Sequence, residues 1–354
     1  MRYDHVHVLG LATDIGRLVP VTDANATTAY DPEETAAVGQ KSVAITAMPG
    51  PQLAIRAGRR ALTAVRETGG TNQTSMVGLH LHTSLLSCGL DFWSLASHIR
   101  SQLGIGAGAA LSVNIDAMSN SAVAATDTAA TYLTARPDLD TVLITIGDTF
   151  TPPFQRFSDH GLVYGDAGAA LLIGRHPGLA QLVSTASWCE PDLEGTTRPH
   201  PEAVTTHTAA NLRAAKRGWL ARGEARREHA HTLIRTAVAE TVKAALADAD
   251  LTLDEVRWVL PPFYGRNLLR RQVLEPLGLP EERTLAGLGL RVGHCGAADQ
   301  ILALDHLTRH NLVEPGDRVL LLGIGLGMTW TAAVLEIGTL PATEPAEKGG
   351  ALAA

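Results

Sequence analysis

Short apolar runs punctuate the chain at residues 76–84, 141–148, 167–174, 257–262, 317–325 and 329–337. Each is Leu-rich or β-branched and is bounded by Gly, Pro or Asp, the pattern of buried strands. Helical periodicity is predicted between them, over 53–68, 121–135, 225–247 and 297–310. The alternation predicts an α/β protein whose strands lie between layers of helix. The tail, 342–354, is poor in large apolar residues and is expected to fray.

The pattern repeats. Ser119 is followed by an Ala-rich helical run and then by "ARPDLDTVLITIGD"; His294 is followed by an Ala-rich run and then by "VEPGDRVLLLGIG". The spacing from Ser119 to Asp140 is 21 residues, and from His294 to Asp317 it is 23. A Gly-rich turn and a second strand follow in both copies, "YGDAGAALLIG" and "GLGMTWTAAVLEI". The repeat predicts two halves, 1–175 and 176–340, with a flexible tail over 341–354. Pseudo-two-fold symmetry would bring equivalent loops together and set Ser119 near His294.

Composition narrows the possibilities without deciding among them. At 354 residues the chain exceeds one simple core. A net charge of −7 gives no overall nucleic-acid footprint. The three cysteines, Cys88, Cys189 and Cys295, are widely spaced and form no CxxC pair, which fits a reducing cytoplasm. The first residues, "MRYDHVHVLGLATDIG", lack the apolar stretch of a signal peptide. No apolar run approaches the roughly 18 residues of a membrane span. The expectation is a cytoplasmic protein with no membrane or nucleic-acid partner.

Ser119 sits where a strand-like run gives way to a helix, so an ordinary helix cap is the simplest reading of that residue alone. Its surroundings point elsewhere. The strand ending "TIGD" at Asp148, the "GDAGAA" turn from Gly165 and "GIGLGMTWT" from Gly323 together resemble the thiolase superfamily, and most closely its ketoacyl-ACP synthase III branch. The resemblance spans almost the whole chain. It implies a thiolase-like fold of two pseudo-symmetric halves in an α-β-α-β-α layering, and a homodimer. Three departures bear on the chemistry. Ser119 stands where the family carries its cysteine nucleophile, although a strict count from Asp116 reaches Ser121. "WVLPP" puts Pro262 where the family has a histidine. "GHCGAADQ" puts His294 where it has an asparagine. This set is similar to the ketosynthase III-like acyltransferases and starter-unit proteins of polyketide pathways, the daunorubicin starter-unit protein among them. It implies a triad of Ser119, His294 and Asp299.

The substitutions are chemically consistent. A serine hydroxyl needs an adjacent base to become a nucleophile, and histidine serves near neutral pH when a carboxylate fixes its tautomer. The resemblance implies oxyanion donors at the Ser119 and Leu326 backbone N–H groups, although a Leu at 326 departs from the family's Gly-rich turn. Decarboxylation needs two side-chain donors for the enolate, and Pro262 supplies none. The leading expectation is an acyltransferase that moves an acyl group from acyl-CoA or an acyl carrier protein, through acyl-Ser119, to a carrier protein or natural-product acceptor. The phosphopantetheine thioester would be substrate, with no bound cofactor. A starter-unit condensing enzyme and a non-catalytic partner of a synthase complex are the alternatives. An α/β-hydrolase is disfavoured by the absence of G-x-S-x-G.

Other candidates have simpler readings. Asp148, Asp159 and Glu194 are fallback carboxylates for the triad. Cys295 occupies a helix entry, and Cys88 and Cys189 read as buried small residues. The pairs His5/His7 and His80/His82 each place two rings on one strand face but have no third ligand at a metal-site spacing, so no metal is expected. The basic segment 211–232 reads as a solvated helix face or as a docking surface for an acidic carrier protein, together with Arg266, Arg270 and Arg271. Trp93 is read as either acyl-pocket wall or core.

Overall fold

The computed structural model describes residues 1–23, 32–67, 77–86, 91–107, 111–151, 154, 156–157, 161–198, 212–221 and 223–340. Among these the strands are β1 (His7–Ile15), β2 (Arg17–Pro20), β3 (Ser42–Ile45), β4 (Val77–Thr83), β5 (Ser112–Asn114), β6 (Thr141–Asp148), β7 (Ala167–Gly174), β8 (Ala180–Cys189), β9 (Trp258–Leu260), β10 (Arg318–Gly325) and β11 (Thr329–Ile337). The helices are α1 (Pro32–Val38), α2 (Gly50–Glu67), α3 (Leu95–Gln102), α4 (Ser121–Ala135), α5 (Leu212–Leu220), α6 (Glu224–Asp248), α7 (Arg266–Leu269), α8 (Glu275–Leu277), α9 (Ala286–Val292) and α10 (Asp299–Arg309). A π turn, Arg270–Leu274, joins α7 to α8.

Nine strands are hydrogen-bonded in the order β5-β4-β6-β7-β1-β8-β11-β10-β9. Pairing repeats on either side of the β1–β8 seam. β1 runs antiparallel to β7, β7 antiparallel to β6, and β6 parallel to β4. β8 runs antiparallel to β11, β11 antiparallel to β10, and β10 parallel to β9. At the seam, His7 and Val8 pair with Gln181 and Ala180.

Side chains on these strands sort alternately into two layers. On β6, Val142, Ile144 and Ile146 face a central cluster shared with α4 and α10, whereas Leu143 faces the cluster under α2. On β10, Val319 and Leu321 face that central cluster, whereas Leu320 and Leu322 face the one under α6. Burial on both faces is why these strands read as continuous apolar runs. α4 lies between the two half-sheets, and its buried Ala122, Ala125, Ala129 and Ala130 let both approach closely. The layering is therefore α2, sheet, α4 with α10, sheet, α6, the expected α-β-α-β-α architecture.

Two of the longest strands have no counterpart in the predicted set. β1 is broken by Gly10, and β8 ("AQLVSTASWC") is interleaved with Gln, Ser and Thr, so neither gives an unbroken apolar run. Cys189, at the end of β8, is exposed rather than buried; Cys88 lies outside the described residues. So does the predicted tail, 341–354. No helix among the described residues is long and apolar enough to cross a membrane.

Candidate active site

Ser119 lies in a 3-10 turn, Met118–Asn120, that feeds α4. The turn opens on Met118 at φ +52°, an uncommon conformation for a side-chain-bearing residue. The helix cap does not involve Ser119: the residue capping α4 is Asn120, which makes no side-chain cap bond. Ser121 Oγ accepts from the Ala117 N–H at 2.7 Å, which occupies the other candidate serine in shaping the loop. Ser119 Oγ instead meets His294 Nε2 at 2.8 Å.

His294 is held from the other side. Its Nδ1 lies 2.5 Å from Asp299 Oδ2. The same oxygen accepts from the Phe263 N–H at 2.7 Å, and Oδ1 accepts from the Cys295 N–H at 2.7 Å. With the carboxylate as acceptor, Nδ1 carries the ring hydrogen and Nε2 presents a lone pair to the serine hydroxyl. Ser119, His294 and Asp299 are 6%, 2% and 0% exposed. The triad-like relay is thus dry at its acid end and opens only at the serine. Tyr164 and Tyr264 flank the imidazole, with ring centroids 5.5 and 6.3 Å away.

A cavity of about 200 Å³ stands over Ser119 and His294. Leu162, Ile234, Leu268, Ile324 and Met328 give it an apolar wall, and Trp219 and Tyr264 add rings. Leu326, in the β10–β11 turn, lines the same space. That turn presses on the serine loop: a Cβ at Gly325 would stand 2.0 Å from the Ala117 carbonyl oxygen, so only glycine permits the approach.

The mouth is basic. Lys216 and Arg217 of α5, His231 of α6 and Arg271 of the π turn contribute to it. Burial first, then the nearby Arg271 and Arg227, hold the His231 ring below its ordinary range. Arg266 and Arg270 do not line the cavity. Arg266 lies against Gly39 and Arg270 faces Glu275 at 3.9 Å, so of the three predicted docking arginines only Arg271 reaches the mouth. Lys216 and Arg217 belong to the basic segment seen in the sequence.

Other candidates sit apart from the relay. Cys295 is buried with Sγ 3.5 Å from the Gly293 carbonyl oxygen, and burial, with Asp299 next, pushes its thiol well up, the opposite of an activated nucleophile. Glu194 is held by Arg198 at 2.8 Å on the surface. Asp159 lies outside the described residues. Trp93 is 40% exposed against His98, neither core nor a wall of this cavity. His80 and His82 are buried around Thr145, whose Oγ1 is 2.9 and 3.0 Å from their ring nitrogens, and burial keeps both neutral, at about 3 and about 4. No group of three metal-ligating side chains occurs among the described residues.

Sequence reasoning missed the Phe263 N–H. It follows Pro262 directly, and Asp299 is the acceptor that a structural map reveals there.

Comparison with known proteins bears on the fold. The model of the 3-oxoacyl-[acyl-carrier-protein] synthase III C-terminal region matches residues 246–337. A β-ketoacyl-[acyl-carrier-protein] synthase III of Rhizorhabdus wittichii is 35% identical over 100 residues, 28% of this chain and 31% of that relative. One from Hyphomonas neptunium is 25% identical over 92% of this chain and 93% of its own. The chain is similar to the ketoacyl-ACP synthases III, in its C-terminal region by the family model and over most of its length by the Hyphomonas relative. Among solved structures, the acyltransferase ChlB3 superposes with a TM-score of 0.86 at 26% identity, covering 95% of this chain and 99% of that one. FabH of Pseudomonas aeruginosa superposes at 0.75 and 18% identity over 96% of this chain and 100% of its own, a likeness of fold. In this chain, the 2.8 Å serine–imidazole contact joins the two halves of that fold.

Proposed function

We propose that the protein is an acyltransferase that works through an acyl ester on Ser119. One observation carries the reading: Ser119 Oγ, His294 Nε2 and Asp299 Oδ2 form a continuous hydrogen-bonded line of 2.8 and 2.5 Å. His294 removes the hydroxyl proton as Oγ attacks a thioester carbonyl. The C–S bond breaks, and the imidazolium returns the proton to the leaving thiol. In the second half-reaction an acceptor thiol, hydroxyl or amine gives its proton to Nε2 and attacks the ester carbonyl; the acyl C–Oγ bond breaks, and the imidazolium returns the proton to Ser119 Oγ. Asp299 holds the imidazole in the required tautomer and steadies its positive form. Backbone N–H groups of Ser119 and Leu326 are the proposed oxyanion donors, aided by the positive N-terminal end of α4.

The basic mouth supports a phosphopantetheine thioester, on CoA or an acidic carrier protein, as donor. Likeness to ChlB3, an acyltransferase by name, favours transfer. The synthase III relatives favour a condensing reaction, but Pro262 has neither side-chain donor nor N–H for an enolate. Placement in polyketide or antibiotic biosynthesis, as a cytoplasmic homodimer, belongs to the same reading.

The test is intact-protein mass spectrometry after incubation with acyl-CoAs and acyl carrier proteins, beside Ser119→Ala. An acyl adduct on the native chain and none on the variant is expected. An adduct that survives the substitution sinks the assignment, and no adduct with any donor favours a non-catalytic partner. Release of labelled carbon dioxide from a malonyl carrier would favour condensation instead.

A further inference from the structure

Asp148 ends β6 beneath the loop that carries His294, and the relay described above does not use it. Its side chain is buried. Oδ1 accepts from the Leu85 and Leu86 N–H groups at 2.7 and 3.1 Å. Oδ2 is buried without a hydrogen-bond partner. That bare oxygen faces Gly296: a Cβ there would lie 2.6 Å from it. The equivalent position in the other half-sheet, the end of β10, is Gly325, so the carboxyl has no symmetry mate.

We propose that Asp148 is a positioning residue for His294: its carboxyl anchors the segment after β4 at the end of β6, against Gly296 of the histidine loop, and its charge sets how readily the imidazole takes the serine proton. The inference rests on the acyl-serine reading.

The surroundings make the charge consequential. Burial pushes the Asp148 carboxyl up to about 7, opposed by the Leu86 and Leu85 N–H groups and by His294, and reinforced by Asp166. Asp166, beside β7, is itself neutralised by Arg156 through contacts at 2.7 Å. From the histidine loop, His294, Cys295 and Asp299 face the same region, and α2 meets the Asp148 backbone at Gly50. Coupling between two titrating groups is mutual, so an ionised Asp148 favours the imidazolium that forms during acylation. With the acid protonated, that help is withdrawn.

Asp148→Asn separates charge from shape, because its amide oxygen still accepts from Leu85 and Leu86. Timed adduct formation on Ser119 across pH 5.5 to 9 should match the native chain below about pH 6 and lag by roughly 3- to 10-fold above about pH 8. NMR titration of the His294 ring should differ between the native chain and the same variant. Asp148→Ala, which also removes the anchor, should be slower at every pH. Identical pH profiles and ring titrations for native and Asn chains overturn the proposal, as does a lag of equal size at all pH. If the native chain forms no adduct, the acyl-serine reading fails, while the ring titration still decides whether Asp148 governs His294.

Discussion

The loop that enters α4 and the loop that enters α10 share one construction and divide the chemistry between them. Each passes through a three-residue 3-10 turn, Met118–Asn120 or Gly296–Ala298. Each turn opens at positive φ, +52° at Met118 and +63° at Gly296. In each, the first helical residue accepts at 2.7 Å from the N–H four residues earlier, Ser121 from Ala117 and Asp299 from Cys295. The difference lies in the number of acceptor oxygens. A hydroxyl has one oxygen, already engaged in the loop; a carboxylate has a second, and that oxygen reaches His294. On the proposed reading, one copy presents the nucleophile and the other the base with its orienting acid. The contact between the two loops, Ser119 Oγ to His294 Nε2, is buried.

Removing the base breaks the comparison hardest. His294→Ala should slow formation of the Ser119 adduct by roughly 10⁴-fold or more, followed by timed mass spectrometry. A loss under tenfold would mean that another group takes the proton. Asp299→Ser comes next, because it makes the second loop resemble the first. The bond to Cys295 can persist, but His294 loses its orienting oxygen and the Phe263 N–H loses its acceptor. Acylation should fall roughly 10²- to 10⁴-fold, and unfolding by denaturant should show a loss of about 1–3 kcal/mol from the orphaned N–H.

How much of this was legible in the sequence follows from what each residue contributes. Ser119 and His294 stand out because their loops precede recognisable helix–strand units at spacings of 21 and 23 residues. Asp299 is found by its offset from His294. The Phe263 N–H is silent, since every residue but proline carries one and only the fold aims it. Asp148 was visible as the end of "TIGD", but its bare oxygen depends on burial that no local pattern encodes. The arginines show the limit from the other side: 266, 270 and 271 are neighbours in sequence, yet helical rotation sends only Arg271 to the cavity mouth.

The carboxyl without a symmetry mate predicts a smaller effect, on stability. The Asp148 carboxyl is raised in the folded state, to about 7 against 3.8. A raised group contributes stability that is fully present below its unfolded value and lost as pH climbs through its folded one. The native chain should lose about 3 kcal/mol between pH 5 and pH 8 from this group, an order-of-magnitude figure. Asp148→Asn should flatten that slope in denaturant unfolding. Parallel stability curves for the two chains would mean that the acid is ionised, or neutral, throughout.

The smallest prediction concerns the turns themselves. Gly296 needs its positive φ without a Cβ, because the added atom would also meet Asp148 Oδ2 at 2.6 Å. Gly296→Ala should therefore cost about 2 kcal/mol, combining left-handed strain with a contact that must shift. Met118 tolerates the same region with a side chain. Met118→Gly relieves that strain but adds freedom to the unfolded chain, so the two terms offset to within about 1 kcal/mol. Its consequence should be kinetic: a looser serine turn spends less time with Oγ at 2.8 Å from Nε2, and acylation should slow roughly 3- to 10-fold at nearly unchanged stability. If Met118→Gly instead unfolds the chain as readily as Gly296→Ala does, the left-handed residue is holding the core together and the two turns are alike in more than shape.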